Sequence, residues 1–206
     1  MEKKYKLTEE TINVGDKTLH RIEALKDFSD VKKGNKGGFI ENEKNLSQSD
    51  DCWVYENAKV YGKARVLDKA KVRNEAKVLD DAVVYGTARV YDNAKVYDYA
   101  KVYHNAVVYG NAVVCGNASI YGNANVYEDA EVFGNAEIRG DAVITSKSDY
   151  IVFKNWWSSG RYFTWTRSND MWKVGCFYGT GKELIEKAYK DSEKFREENI
   201  RKWLVM

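Results

Sequence analysis

The sequence predicts a parallel β-helix, a fold in which short strands coil and stack, and three observations support this prediction. From residue 51 to residue 146 a six-residue pattern recurs without a break, as in NAKVYG and NANVYE. One position of each repeat is Ala, or Cys52 in the first repeat, and the position two residues later is always Val or Ile. The two residues that end each repeat are mostly Gly, Asp or Asn, which tolerate tight turns.

Each repeat is predicted to form one short strand and one corner. The small and branched residues alternate with polar and aromatic ones, which is the period-two pattern of a strand with one buried face. A strand that buries only Ala and Val is not stable alone, so successive repeats must coil and pair with earlier ones. With three repeats to a turn, residues 18 apart in sequence stack on one face, and the repeats give about five coils.

The 50 residues before the repeat are predicted to form an N-terminal hairpin and cap. Residues 5–24 contain two strand patterns joined by Gly15 and Asp16, a good hairpin turn. An open β-helix end exposes unpaired strand edges. The hairpin and the loop through residues 36–38 are therefore expected to cover that end.

Residues 147–206, after the repeat, are predicted to form an aromatic-rich module of three strands and a helix. The strand patterns occupy residues 150–157, 161–167 and 171–178, and the helix runs from about residue 182 to residue 204. Thr180 and Glu183 have the spacing of a capping box at the helix start. Five of the six Trp residues lie beyond residue 150, which is more aromatic surface than an end cap requires.

Composition sets limits on location and partners. The 33 basic and 31 acidic residues nearly balance, so neither membrane association nor sequence-specific nucleic-acid binding is expected. No apolar stretch approaches the length that spans a bilayer, and the N-terminus lacks the apolar core of a signal peptide, which predicts a cytoplasmic protein. The three cysteines show no metal-ligand spacing, so they are expected to be reduced and structural, with Cys176 buried.

The repeat resembles the hexapeptide-repeat, left-handed β-helix superfamily over all of its 96 residues, and the left-handed sense is what that resemblance implies. An aromatic residue directly follows the aliphatic one here. Together with GGFIENEKNLSQ leading into CWVYENAKVYG at residues 37–62, this resembles the YdcK-like, prophage-borne branch. The resemblance implies a phage or prophage protein in the cytoplasm of a bacterial host. It also implies interference with host defence and packing as a homotrimer.

Enzymatic readings of the sequence are weaker than a binding function. Acyltransferases of this superfamily use acyl-CoA and typically need a His base, an extruded loop and a cleft between subunits. The repeat is unbroken, and His20 and His104 are the two histidines of the chain. The GCFYGTGKE segment fails the phosphate-loop pattern at Cys176 and Glu183. We therefore expect no catalytic residue, metal or cofactor, and acyltransferase or purely structural roles stay as alternatives.

The candidate binding site lies in the C-terminal module. Strand alternation places Phe163 and Trp165 on one face between two arginines, an arrangement that suits either a protein hot spot or base stacking with phosphate contacts. The alternative is that these rings pack under the terminal helix. The expected ligand is a host protein or an anionic small molecule, such as a nucleotide signal. The predicted site residues are Trp157, Arg161, Trp165, Arg167, Thr180 and Lys182.

The β-helix itself offers a secondary candidate surface, because outward basic residues stack beside tyrosine columns. Such a band binds anions or, alternatively, is a solvated face whose Lys stems cover Tyr rings. The tyrosine columns and the terminal helix also offer apolar area for self-association as a homotrimer. The residues of the secondary surface are Lys59, Lys77, Lys95 and Tyr97.

Overall fold

The computed structural model describes residues 3–156 and 160–204, with residues 194–204 described by their backbone alone. The body is a three-sided parallel β-helix, as the repeat predicts, built from one two-residue strand in each hexapeptide. These strands are β4 (Trp53–Val54), β5 (Lys59–Val60), β6 (Arg65–Val66), β7 (Lys71–Val72), β8 (Lys77–Val78), β9 (Val83–Val84), β10 (Arg89–Val90), β11 (Lys95–Val96), β12 (Lys101–Val102), β13 (Val107–Val108), β14 (Val113–Val114), β15 (Ser119–Ile120), β16 (Asn125–Val126), β17 (Glu131–Val132), β18 (Glu137–Ile138) and β19 (Val143–Ile144).

Every third strand belongs to the same sheet, so the predicted stacking of residues 18 apart is confirmed. One sheet follows the order β5-β8-β11-β14-β17, a second β4-β7-β10-β13-β16-β19 and a third β6-β9-β12-β15-β18. Lys95, for example, pairs in parallel register with Lys77 below it and with Val113 above it. The inward Ala, Val and Ile side chains of the repeat are fully buried, from Ala58 to Ile144.

The corners of the β-helix explain why Asp and Asn recur beside Gly. The first corner residue has a positive φ throughout, near +57° at Asp98 and +68° at Gly110. Several corner carboxylates accept a hydrogen bond from the backbone N–H of the next corner above, 18 residues later. These pairs are Glu56 with Asn74 (2.7 Å), Asp68 with Gly86 (2.8 Å), Asp80 with Asp98 (3.3 Å), Asp92 with Gly110 (3.2 Å) and Asp98 with Gly116 (2.9 Å).

The N-terminal hairpin is present as predicted and continues into the β-helix. Strands β1 (Tyr5–Val14) and β2 (Lys17–Ala24) pair antiparallel, and β3 (Lys36–Ile40) joins β2 on one side and β5 on the other. A short 3-10 helix (Glu43–Asn45) follows, and Leu46 then bridges to Val66. The cap residues therefore add a first turn below the repeat, which brings the β-helix to about six turns.

This first turn lacks the Ala-x-Val pattern because its backbone approaches the next turn closely. A Cβ atom on Gly38 would lie 2.5 Å from the carbonyl oxygen of Ala58. Only glycine fits there without a shift of the backbone. This steric requirement replaces the repeat pattern and hides the turn in the sequence.

The C-terminal module contains four strands where the sequence suggests three runs. They are β20 (Tyr150–Lys154), β21 (Tyr162–Thr166), β22 (Met171–Val174) and β23 (Phe177–Thr180), joined as an antiparallel meander after a 3-10 helix (Lys147–Asp149). The third run divides because Gly175 turns the chain with a φ of +55°. Helix α1 (Gly181–Leu204) follows, near the predicted bounds.

Candidate binding face of the C-terminal module

The inner face of the four-stranded sheet closes the open end of the β-helix. The last strand of each of the three sides leaves a backbone N–H without a strand partner above it. On each of the three sides, one such N–H donates a hydrogen bond to a different hydroxyl group of the module. The pairs are Phe133 N–H to the Tyr150 hydroxyl (3.3 Å), Glu137 N–H to Thr164 Oγ1 (3.1 Å) and Val143 N–H to Ser168 Oγ (2.7 Å).

Further polar contacts hold the inner face in place. Lys173 forms an ion pair with Glu137 at 3.1 Å, and the Tyr178 hydroxyl donates to the backbone oxygen of Arg139 at 3.2 Å. Thr164 is only 2% exposed. The inner face thus closes the β-helix through polar contacts and through the packing of Tyr150 and Val152 against the core, and its side chains are accounted for by folding.

The opposite side of the same sheet is apolar, and we call it the outer aromatic face. Phe153 stacks on Phe163 with ring centroids 5.0 Å apart and meets Trp172 edge-on at 6.3 Å. Ile151 and Phe153 remain 52% and 46% exposed. By strand alternation and register, the members of the face are Ile151, Phe153, Phe163, Trp165, Trp172, Val174 and Phe177.

Helix α1 covers one part of the outer aromatic face and leaves a cleft of about 560 Å³ beside it. Phe163, Val174 and Phe177 form the sheet wall of this cleft, and Leu184, Ile185 and Ala188 form the helix wall. Polar groups stand at its border, namely Asn155, Arg161, Cys176 and an ion pair between Lys187 and Asp191 (3.2 Å).

The first turns of helix α1 extend the apolar surface beyond the cleft. Ile185 is 59% exposed and Tyr189, four residues later, is 68% exposed. Residues four apart in a helix share a face. The exposed sheet residues and this helix stripe therefore form adjoining apolar areas.

The structure brings three of the predicted site residues to this region. Arg161 borders the cleft, and Trp165 lies on the outer aromatic face with its indole N–H donating to Asp170 at 2.8 Å. The predicted sharing of a face by Phe163 and Trp165 is confirmed by their pairing with Val174 and Trp172. Arg167 is exposed directly after β21.

Two other predicted site residues lie at the start of helix α1, and Trp157 lies outside the described residues. The capping box is confirmed, because the Glu183 carboxylate accepts from the N–H and the hydroxyl of Thr180 at 2.7 and 2.9 Å. These hydrogen bonds hold the pKa of Glu183 below its usual value. A carboxylate already occupies the positive end of the helix, which disfavours a second anion there. Lys182 is exposed beside it.

The secondary surface lies on the β-helix, where Lys59, Lys77 and Lys95 form the predicted column. Lys59 pairs with Glu75 at 3.2 Å, which neutralises the lower end of the column. Tyr97 stands above Leu79 in the neighbouring column. A hydrogen bond with Cys115, together with burial, raises the pKa of Tyr97 to about 12.

Sequence reasoning missed Ile151, Phe153 and Trp172 as members of the site. The signal was present in the alternation of residues 150–154, but periodicity alone does not say which face of a strand is covered.

The prediction that Cys176 is buried is wrong, because its thiol is exposed in the turn between β22 and β23. That turn places the thiol at the border of the cleft.

The two histidines lie in different elements. His104 is an exposed corner residue whose ring packs edge-on against Tyr103, with centroids 4.8 Å apart. In the hairpin, His20 Nδ1 lies 3.2 Å from the backbone oxygen of Thr8.

Within residues 3–156 and 160–204, no helix is both long and apolar enough to cross a membrane. A comparison of the chain with protein-family models and with curated proteins gave no match.

Proposed function

We propose that this is a non-enzymatic binding protein, in which a rigid β-helix carries the C-terminal module and the outer aromatic face binds a partner protein. One observation carries the proposal: the two sides of the same small sheet differ in what folding requires of them. The inner side supplies the hydroxyls that close the β-helix. The outer side leaves large apolar residues in water.

Exposed apolar area of this kind favours a protein partner over a small ligand. The outer aromatic face is broad, and the cleft beside α1 offers a recess into which an apolar side chain of a partner fits. Trp, Tyr and Arg are the residue types enriched at hot spots in protein interfaces. Trp165, Arg161 and Arg167 are of these types and lie in or next to the same strand, β21.

The resemblance to the prophage-borne branch suggests the identity of the partner. We propose a bacterial host protein bound in the host cytoplasm, with interference in host defence as the outcome. Self-association as a homotrimer stays part of the proposal. The stacked rings of Tyr85 and Tyr103, both partly exposed, are the apolar surface that would support it.

The proposal is tested by capture of a partner from bacterial lysate with matched surface variants. Phe153→Ser and Ile151→Ser each remove an exposed apolar residue from the outer aromatic face. Tyr99→Ser is the matched control, because Tyr99 is a comparably exposed aromatic residue, 63% accessible, on a corner of the β-helix. The wild type and Tyr99→Ser should retain the same bound protein in near-stoichiometric amount, and the two outer-face variants should lose it.

Two results would contradict the proposal. One is the same partner bound equally by Phe153→Ser and the wild type, with circular dichroism showing both to be folded. The other is turnover of acetyl-CoA by the purified protein, which would favour the acyltransferase alternative.

A further inference from the structure

Three cations gather on one side of the β-helix, away from the C-terminal module. Lys71 and Arg89 are direct neighbours in parallel register on β7 and β10, so two like charges stack one strand spacing apart. Arg73 lies two residues along the chain from Lys71, on the same outward side. Like charges placed directly opposite each other in a sheet are destabilising.

Only part of this positive charge is balanced within the described residues. Asp30, from the cap loop, accepts from Lys71 Nζ at 2.7 Å and from Arg73 at 3.0 Å. The guanidinium of Arg89 forms no ion pair with any described residue, and it is exposed. The cations therefore outnumber the carboxylates that contact them.

The corner carboxylates beside the cluster point elsewhere. Glu56 accepts from the backbone N–H of Asn74 at 2.7 Å, and Asp92 accepts from the N–H of Gly110 at 3.2 Å. Both belong to the series of corner hydrogen bonds that runs from Glu56 to Asp98. They are thus not the missing partners of Arg89.

The cations line a concave site. A cleft of about 440 Å³ is bordered by Lys71, Arg73, Asn74, Arg89 and Tyr91. Tyr91 is the end ring of a stack with Tyr109, at a centroid distance of 4.9 Å. Arg73 lies below Tyr91, and its guanidinium lies over the ring of Tyr55, 3.9 Å from the ring centroid. The cleft therefore has one aromatic wall and a basic floor.

We propose that this cleft binds a phosphate group, either free or as a phosphomonoester. The guanidinium of Arg89 supplies the fork of N–H donors that matches phosphate oxygens, and the Lys71 ammonium adds a second charge. A bound dianion would balance the charge of Arg89, which forms no ion pair with any described residue, and would reduce its repulsion with Lys71, whose ammonium Asp30 already contacts. This site lies on the β-helix, so it stands or falls independently of the partner-binding face.

Isothermal titration at low ionic strength tests the site, with inorganic phosphate and phenyl phosphate as probes. Arg89→Gln should weaken binding of both probes at least about tenfold, the usual scale for loss of one charge-assisted bidentate contact. Arg65→Gln is the matched control. Arg65 occupies the same repeat position and is exposed, but its strand neighbour is Val83, so binding should change less than about twofold.

The probes also distinguish the two phosphate sources. Tighter binding of phenyl phosphate than of inorganic phosphate assigns the site to an ester whose ring contacts Tyr91, and equal binding assigns it to the free ion. Absence of saturable binding of both probes at about 10 mM, or equal weakening by Arg65→Gln and Arg89→Gln, would overturn the proposal. Phe153→Ser should bind both probes as the wild type does, which separates this test from that of the partner-binding face.

Discussion

The β-helix body buries its inward apolar residues completely, whereas the C-terminal module leaves part of one apolar sheet face exposed. In the body, the inward Ala, Val and Ile residues are fully buried in stacked columns. In the module, Ile151 and Phe153 are about half exposed, although they belong to a well-paired sheet. The module folds onto the body through its inner face, so the outer aromatic face takes no part in that junction. The inward columns therefore stabilise the body by burial, whereas the exposed parts of Ile151 and Phe153 contribute no such burial to the module.

The largest expected effect tests the inward columns of the body. Val96→Asp puts a charge between Val78 and Val114 in a fully buried column, which should destabilise the fold by about 4 kcal/mol or more. Lys95→Asp changes the exposed neighbour and should cost less than about 1 kcal/mol. Thermal denaturation followed by circular dichroism measures both. Equal losses would mean that the inward and outward assignments do not hold.

The next effect separates the module from the body in binding. Once the partner is in hand, Trp165→Ala combined with Arg167→Ala should weaken binding by about 2 kcal/mol or more. Lys59→Ala and Lys77→Ala, on the body, should each cost less than about 1 kcal/mol. Melting curves of every variant must accompany the titrations, because Trp165 also packs against Trp172. Normal binding by folded Arg167→Ala together with loss in the lysine variants would move the site to the body.

A smaller effect tests the junction between the two regions. Thr164→Val keeps the shape of the side chain but removes the acceptor for the Glu137 N–H, so the free energy of unfolding should fall by about 1–2 kcal/mol. Hydrogen exchange at the Glu137 amide should become faster. Thr11→Val, at an exposed strand position of the hairpin, is the control and should change little. Unchanged exchange at Glu137 would argue against the hydroxyl cap.

A pH-dependent effect tests how the cap loop is held to the body. Burial acts to raise the pKa of Asp30, but hydrogen bonds from Lys71 and Tyr55 outweigh it and hold that pKa well below its usual value. A depressed folded-state pKa adds stability above the unfolded pKa of about 4, and this stability is lost as the pH falls toward the folded value. Because Asp30 is about half exposed, Asp30→Asn should cost only about 1 kcal/mol at pH 7.

The difference between Asp30→Asn and the wild type should therefore shrink as the pH is lowered from 7 to 3. Urea denaturation at several pH values measures it. A difference that stays constant over this range would show that the carboxylate charge does not hold the loop.

The smallest effect on stability concerns the thiols. Cys176 is exposed in the module and should react with a maleimide within minutes, with little change in melting temperature. Cys52 is buried under the cap, and burial raises the pKa of its thiol, so it should react only when the protein unfolds. Mass spectrometry after timed labelling measures both. Rapid labelling of Cys52 in folded protein would contradict the closed cap.

The parts of the structure that the sequence predicts well are those governed by repetition. Ala at every sixth residue and Val or Ile two residues later leave one stable arrangement, so strand position, register and burial all follow. The turn built on Gly38 was hidden because a close backbone approach, and no side-chain pattern, determines it. The exposed face carrying Phe153 was hidden for a different reason. Strand alternation assigns the residues to the two faces of the C-terminal sheet. Which of these faces is exposed to solvent depends on the positions of helix α1 and of the β-helix end, and alternation does not give those positions.

The three-sided body also fixes the angular relation between the two ends of the molecule. Each hexapeptide advances the chain by one side, so deleting 18 residues would shorten the rod by a full turn and leave the aromatic face pointing the same way. Deleting only six residues would keep every Ala and Val inward, yet it would swing the C-terminal module through a third of a rotation relative to the cap. The number of hexapeptides therefore determines the orientation of the C-terminal module relative to the cap, in steps of about 120°.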